Sequence, residues 1–136
     1  MKKILLGFIP ALAMVLLITS CSKDDPTPTP AATPTGTWKG TGQYGIGPGN
    51  PTYAFTVAFK ANGTVDIIGN NNAAVDNATG TWAVVQDSVK ATYTYISASA
   101  IYTLSGKFSS TSNVIVGTIG LGTATTGVGT FSVTRQ

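Results

Sequence analysis

The sequence predicts an all-β domain, a small eight-stranded antiparallel up-and-down barrel, with a β-sandwich of the same strands as the alternative. Three observations carry this expectation. Residues 36–136 contain no glutamate and have leucine only at 104 and 121, while Gly, Thr and Val abound, a composition that favours strands and turns over helix. Apolar and polar residues alternate with period two in several runs, the mark of strands with one buried face. Turn-forming residues recur between those runs at short intervals.

The elements follow in order. A first strand at 37–44 begins with Gly36-Thr37-Trp38 and gives way to a break containing Pro48 and Pro51. The strand at 52–60 puts Tyr53, Phe55, Val57 and Phe59 on one face and Thr52, Ala54, Thr56 and Ala58 on the other. Ala61-Asn62-Gly63-Thr64 is a short hairpin signal leading to a strand at 64–69. Asn70 to Asn77 forms a longer polar loop before a strand at 80–86. Gln86-Asp87-Ser88 turns the chain into 89–96, where Val89, Ala91, Tyr93 and Tyr95 oppose Lys90, Thr92 and Thr94. The next strand, 100–108, sets Tyr102, Leu104, Gly106 and Phe108 against Thr103, Ser105 and Lys107. Ser109 to Asn113 turns into 113–120, and the last strand, 127–135, aligns Phe131, Val133 and Arg135. Consecutive short strands joined by tight turns suggest a meander, and closing it into a barrel removes the exposed edges.

Upstream of this domain the chain changes character. Residues 1–20 follow secretory-signal grammar: Lys2 and Lys3, an apolar stretch from Ile4 to Ile18, then small Thr19 and Ser20. The stretch falls short of the ~20 apolar residues that a membrane span requires, and Pro10 interrupts it. Leu17-Ile18-Thr19-Ser20-Cys21 resembles the lipobox of bacterial lipoproteins, which implies lipid on the Cys21 thiol and an acyl chain on the new amino terminus. Cys21 is the sole cysteine, so no intramolecular disulfide can form. Lys23, Asp24 and Asp25 resemble the export tag of Bacteroidota surface lipoproteins, which implies an outer-membrane lipid anchor facing the cell surface, with a periplasm-facing anchor as the alternative. Residues 21–35 then comprise lipidated cysteine, tag and a Pro/Thr linker. Four of the seven prolines lie in 26–35, which predicts an extended spacer. At ~3.1 Å per residue it reaches about 30 Å.

Gly36-Thr37-Trp38 at the start of the first strand, with Arg135 near the end of the last, resembles the signature of the calycin superfamily, the lipocalins and their relatives. The resemblance implies a tryptophan, Trp38, at the closed end of an eight-stranded barrel with Arg135 lying across it. Such a guanidinium–indole contact contributes ~0.5–2 kcal/mol. Gly80-Thr81-Trp82 repeats the Gly-x-Trp pattern in mid-chain. Tyr102 to Phe108 also resembles an avidin-type strand, but no tryptophan follows Trp82 to enclose biotin.

The inventory of side chains argues against catalysis. With no histidine the chain lacks the usual general base at neutral pH and any His-based metal site. The domain's carboxylates are Asp66, Asp76 and Asp87, each in or beside a predicted turn, a poor arrangement for paired acid–base work. An asparagine-rich loop with Asp76 offers oxygens suited to Ca²⁺, although such residues ordinarily satisfy turn geometry; no metal or cofactor is expected. Gly40-Thr41-Gly42-Gln43-Tyr44-Gly45 matches the dinucleotide fingerprint in letters only, since prolines follow where a helix must start. Four lysines and Arg135 against three aspartates give the domain +2, with no basic cluster to suit nucleic acid. Asp87-Ser88-Val89 resembles the O-glycosylation tripeptide of Bacteroidota exported proteins, which makes Ser88 a candidate acceptor.

The aromatic residues are the remaining candidates. Tyr53, Phe55, Trp82, Tyr93, Tyr95 and Tyr102 fall on predicted inner faces, where they pack a core or line a ligand pocket. The expected function is therefore that of a lipid-anchored, non-enzymatic envelope lipoprotein. Its barrel binds a small apolar or amphipathic ligand. The alternative is a structural or interaction module with a filled core that contacts a glycan or an envelope protein through its loops.

Overall fold

Period-two alternation sets which side chains face inward, most plainly along Thr52–Phe59, Thr64–Gly69, Ser88–Tyr95 and Gly129–Arg135, whereas Ile101–Lys107 and Val114–Leu121 each bury two consecutive residues. A computed structural model describes residues 33–108, 111 and 113–136. The described residues form eight strands: β1 (Gly36–Tyr44), β2 (Thr52–Phe59), β3 (Thr64–Gly69), β4 (Asn77–Val85), β5 (Ser88–Tyr95), β6 (Ile101–Lys107), β7 (Val114–Leu121) and β8 (Gly129–Arg135). Each pairs antiparallel with its sequence neighbour, and β1 also pairs with β8, so the sheet closes into a barrel. Closure decides against the sandwich. The closing register sets Trp38 opposite Arg135 and Tyr44 opposite Gly129.

Inward positions on β2 (Phe55, Val57, Phe59), β3 (Val65, Ile67), β5 (Val89, Ala91, Tyr93) and β8 (Phe131, Val133) are buried, joined by Trp38, Leu104 and Ile115. Their burial is the main force holding the barrel, at ~25 cal/mol per Å² of apolar surface removed from water. Some inward positions must be empty for the walls to approach. At Gly40 and Gly80 a Cβ would overlap the backbone of Ser132 and Thr92 respectively, so only glycine permits the tight coiling there.

The hairpin at 60–63 forms as its sequence implies. Lys60 N–H donates to Thr64 O at 2.9 Å, Gly63 takes φ +82°, and Asn62 Oδ1 accepts from Thr64 N and Oγ1. Strand β4 starts at Asn77, three residues before the expected 80, because Asn77, Ala78 and Thr79 pair with Ile68, Ile67 and Asp66. Thr33 to Thr35, assigned to the spacer by composition, lie against the barrel: Pro34 is buried and its carbonyl accepts the Trp38 indole N–H at 2.7 Å. Cys21, Lys23, Asp24 and Asp25, with the signal segment and the rest of the spacer, lie outside the described residues.

Candidate functional site

Alternating chain direction gives the barrel two unlike poles. At one pole lie the starts of β1, β3, β5 and β7, the ends of β2, β4, β6 and β8, and the incoming chain. This pole is solid. Trp38 has 0% of its surface exposed, meets Phe108 edge-on at 6.3 Å between centroids, and is covered by Arg135, whose guanidinium carbon sits 4.6 Å from the indole centroid. Arg135 also donates to the carbonyls of Thr35 at 3.1 Å and Thr33 at 2.8 Å. Gly36, at φ +129°, starts β1 beside this cap, its missing side chain facing the Arg135 guanidinium. Trp82 packs against Phe59 at 5.3 Å and donates its indole N–H to Lys60 O at 2.9 Å.

The other pole is hollow. A cavity of about 240 Å³ opens between the ends of β1, β5 and β7 and the starts of β2, β6 and β8. That lies between the ~150 Å³ that admits benzene and the ~300–1,000 Å³ of drug-sized pockets. Tyr53, Tyr93, Tyr95 and Tyr102 line it, together with Gln43, Tyr44, Asp76, Ser97, Ala98, Ile119, Val128 and Gly129. Tyr93 forms the floor, 2% exposed and stacked on Tyr102 at 5.9 Å, with Tyr95 edge-on to both. Across the mouth, Tyr44 tilts over Tyr53 at 4.5 Å.

Of the six aromatic residues expected in a pocket, four are brought together here. Phe55 lies one layer deeper in the packed core, touching Tyr53 and Phe131. Trp82 belongs to the opposite pole. Tyr44 continues the inward alternation Trp38–Gly40–Gly42, so its place at the rim was readable from the first strand. Asp76 arrives by way of the β3–β4 loop, where Gly69 N–H donates to Asp76 O at 2.8 Å and folds the loop back over the wall.

Two glycines seat two of these side chains. The Tyr53 ring lies on Gly42, where a Cβ would overlap it, and the Asp76 carboxylate lies on Gly69 in the same way. Asn70 Nδ2 donates to Asp76 Oδ2 at 2.7 Å. The β7–β8 loop folds outward rather than over the mouth: Thr118 and Thr103 hydroxyls, on the outer wall, hold its carbonyls at Thr125 and Gly122, each at 2.6 Å.

The tyrosine hydroxyls are what make the cavity chemically distinct. Those of Tyr53, Tyr93, Tyr95 and Tyr102 bond no group among the described residues, yet no buried side-chain polar atom there is left unpartnered. The hydroxyls therefore open onto the cavity. Burial, then neighbouring Tyr44 and Asp76, pushes Tyr53 up to about 12. Burial raises Tyr93 and Tyr95 further, helped by Tyr95 and Tyr53 on the former and by Tyr53 and Asp76 on the latter. All three are neutral donors and acceptors at physiological pH.

Around the mouth, large apolar side chains stand exposed among the polar residues of the loops. Tyr44, Ile46, Val75, Ile96, Ile101 and Leu121 are all at least half exposed, and all belong to strand ends or loops of this pole. Ser88 sits far from it, first in β5 at the solid pole, half-buried, its hydroxyl donating to Asp87 at 3.1 Å. Hydrogen bonds from Lys107 and then Ser88 hold the Asp87 carboxyl below its usual range.

No protein-family model matches this chain, and no curated protein resembles it in sequence.

Proposed function

We propose that this barrel is a non-enzymatic binding domain that takes a small apolar or amphipathic ligand at its hollow pole. The observation that carries the reading is the cavity itself: four tyrosine hydroxyls without partners among the described residues face a cavity of about 240 Å³. Hydroxyls that open onto a cavity are free to hydrogen-bond a bound molecule, the arrangement of a few polar groups in an otherwise apolar pocket that ligand sites use. The apolar rim suits the less polar end of a ligand whose polar end enters the cavity. The Trp38–Arg135 cap supports kinship with calycin-like barrels, which also close at one end and bind at the other.

Cys21 and the Lys23-Asp24-Asp25 tag support a lipid anchor in the outer membrane, of Bacteroidota type, displayed at the cell surface; the periplasmic face is the alternative. Ser88 remains a candidate acceptor for O-glycosylation. A competing function, contact with an envelope protein or glycan through the loops, draws on the same apolar rim. Native mass spectrometry of the protein, after incubation with cell-envelope and culture-medium extract, separates the two. A discrete added mass lost on Tyr93→Trp, which fills the cavity floor, establishes a ligand carrier. A bare mass, with a rim-dependent macromolecular complex, replaces it with the interaction module.

A further inference from the structure

We infer that the cavity is built for a small organic cation, an alkylammonium or quaternary ammonium group, with Asp76 as its counter-ion. The inference rests on the small-ligand reading and specifies the ligand's chemistry.

The charges of the described residues are distributed unevenly. Lys60 pairs with Asp66 at 2.6 Å and Lys107 pairs with Asp87, while Arg135 lies over Trp38 at the solid pole. Asp76 has no cationic partner among the described residues, and neither lysine nor arginine lines the cavity. Its carboxylate is held in place on one side, by Asn70 Nδ2 and by the bare face of Gly69. It is close enough to the Tyr53 and Tyr95 hydroxyls to oppose their ionisation. A half-buried carboxylate fixed at the cavity wall, with no cation beside it among the described residues, gives the cavity a negative potential that favours a cationic ligand over an anionic one.

The aromatic groups complement that charge. Tyr44, Tyr53, Tyr95 and Tyr102 stand around the opening with Tyr93 beneath, and neighbouring rings meet tilted, edge-on or, for Tyr93 and Tyr102, stacked, at 4.5 to 5.9 Å. Rings in such a cage attract a cation through their faces and through hydroxyl lone pairs. An anionic ligand meets repulsion from Asp76. A metal ion finds one carboxylate and protonated phenols, and the described residues hold no group of three metal-ligating side chains. The cavity volume admits an ammonium head with a short substituent, and the apolar rim receives whatever extends beyond it.

The test is a titration of the full 136-residue chain with choline, with its uncharged carbon isostere, and with methyl glucoside. It is followed through the ring signals of the tyrosines by NMR, and Trp38 and Trp82 at the solid pole serve as internal references. The expected result is choline binding about tenfold or more tighter than the isostere. Adding salt should weaken choline alone. Asp76→Asn, which keeps an oxygen to accept from Asn70, should bring choline down to the isostere's affinity. Equal affinities overturn the cation assignment and leave a neutral small-ligand site. Saturation by methyl glucoside without choline binding also overturns it, in favour of a polyol site. Unmoved tyrosine signals with all three probes, alongside a retained mass from envelope extract, reject the cation but keep the carrier. Unmoved signals with no retained mass reject both. The comparison of choline with its isostere uses the unmutated protein, so it holds even where Asp76→Asn fails to fold.

Discussion

The two poles of the barrel are built from the same eight strands and similar counts of aromatic rings, yet they treat polar atoms in opposite ways. At the solid pole each indole N–H finds a carbonyl, Trp38 to Pro34 and Trp82 to Lys60. The one arginine finds two more, on Thr33 and Thr35. At the hollow pole the tyrosine hydroxyls find no partner among the described residues and face the cavity. The contrast separates residues that hold the fold from residues left available to something else. Buried polar groups are normally paired, as at the solid pole; the tyrosine hydroxyls stay unpaired among the described residues because they are accessible from the cavity.

The comparison is broken most severely at Trp38. Trp38→Ala should cost about 3–5 kcal/mol, because a fully buried indole leaves a cavity that a closed barrel cannot collapse around. Urea unfolding gives the value, and a loss below about 1 kcal/mol would show that the solid pole is not the keystone. Arg135→Ala should cost about 1–3 kcal/mol, and Arg135→Lys should recover part of it, since an ammonium keeps the charge but not the planar fork that reaches two carbonyls. An unchanged melting temperature for Arg135→Ala would reduce the cap to a surface contact.

Alkaline pH tests the other pole. Tyr53, raised to about 12, and the still higher Tyr93 and Tyr95 bind protons more tightly folded than unfolded. Their contribution to stability is therefore intact below about pH 10, the unfolded value, and is lost as pH climbs from there through 12. Denaturant midpoints measured across that window should fall, and the phenolate absorbance of these three tyrosines should rise only with unfolding. Ionisation of these three near pH 10 in the folded protein would mean that burial does not hold their protons. The smallest effect belongs to Tyr95→Phe. It removes a hydroxyl that no protein group uses and should change stability by no more than about 0.5 kcal/mol while altering ligand retention. A larger loss of stability would reveal that Tyr95 holds the structure.

The fold was legible because inside and outside alternate residue by residue. Runs such as Tyr53–Phe59 and Val89–Tyr95 declare a buried face without any knowledge of their neighbours. Depth along the barrel is a different matter. Phe55 and Tyr53 share a face, but two residues of rise carry Phe55 out of the cavity and into the core. Trp82 shares the inward parity of Ala78, yet β4 runs from the hollow pole to the solid one and carries it away. Which rings meet at one level is set by register around all eight strands, and single runs do not contain it. Asp76 was visible as a loop carboxylate. Its place beside the tyrosines depends on Gly69 lacking a side chain, a contact between residues that no periodic pattern links. The packing of Pro34 was likewise hidden, since a proline-rich run reads as spacer until a carbonyl is seen to meet an indole.

The Arg135 clasp on Thr33 and Thr35 also decides how the domain bears load. The chain enters where β1 and β8 meet, with both ends of the domain at the same pole. Tension arriving through the preceding residues falls first on three hydrogen bonds at the cap, two from the Arg135 guanidinium and one from the Trp38 indole, then on the ladder between the first and last strands. The far rim, where the tyrosines stand, lies outside that path. Pulling on the preceding residues should slacken the clasp long before it changes the shape of the mouth, so the two poles are mechanically separate.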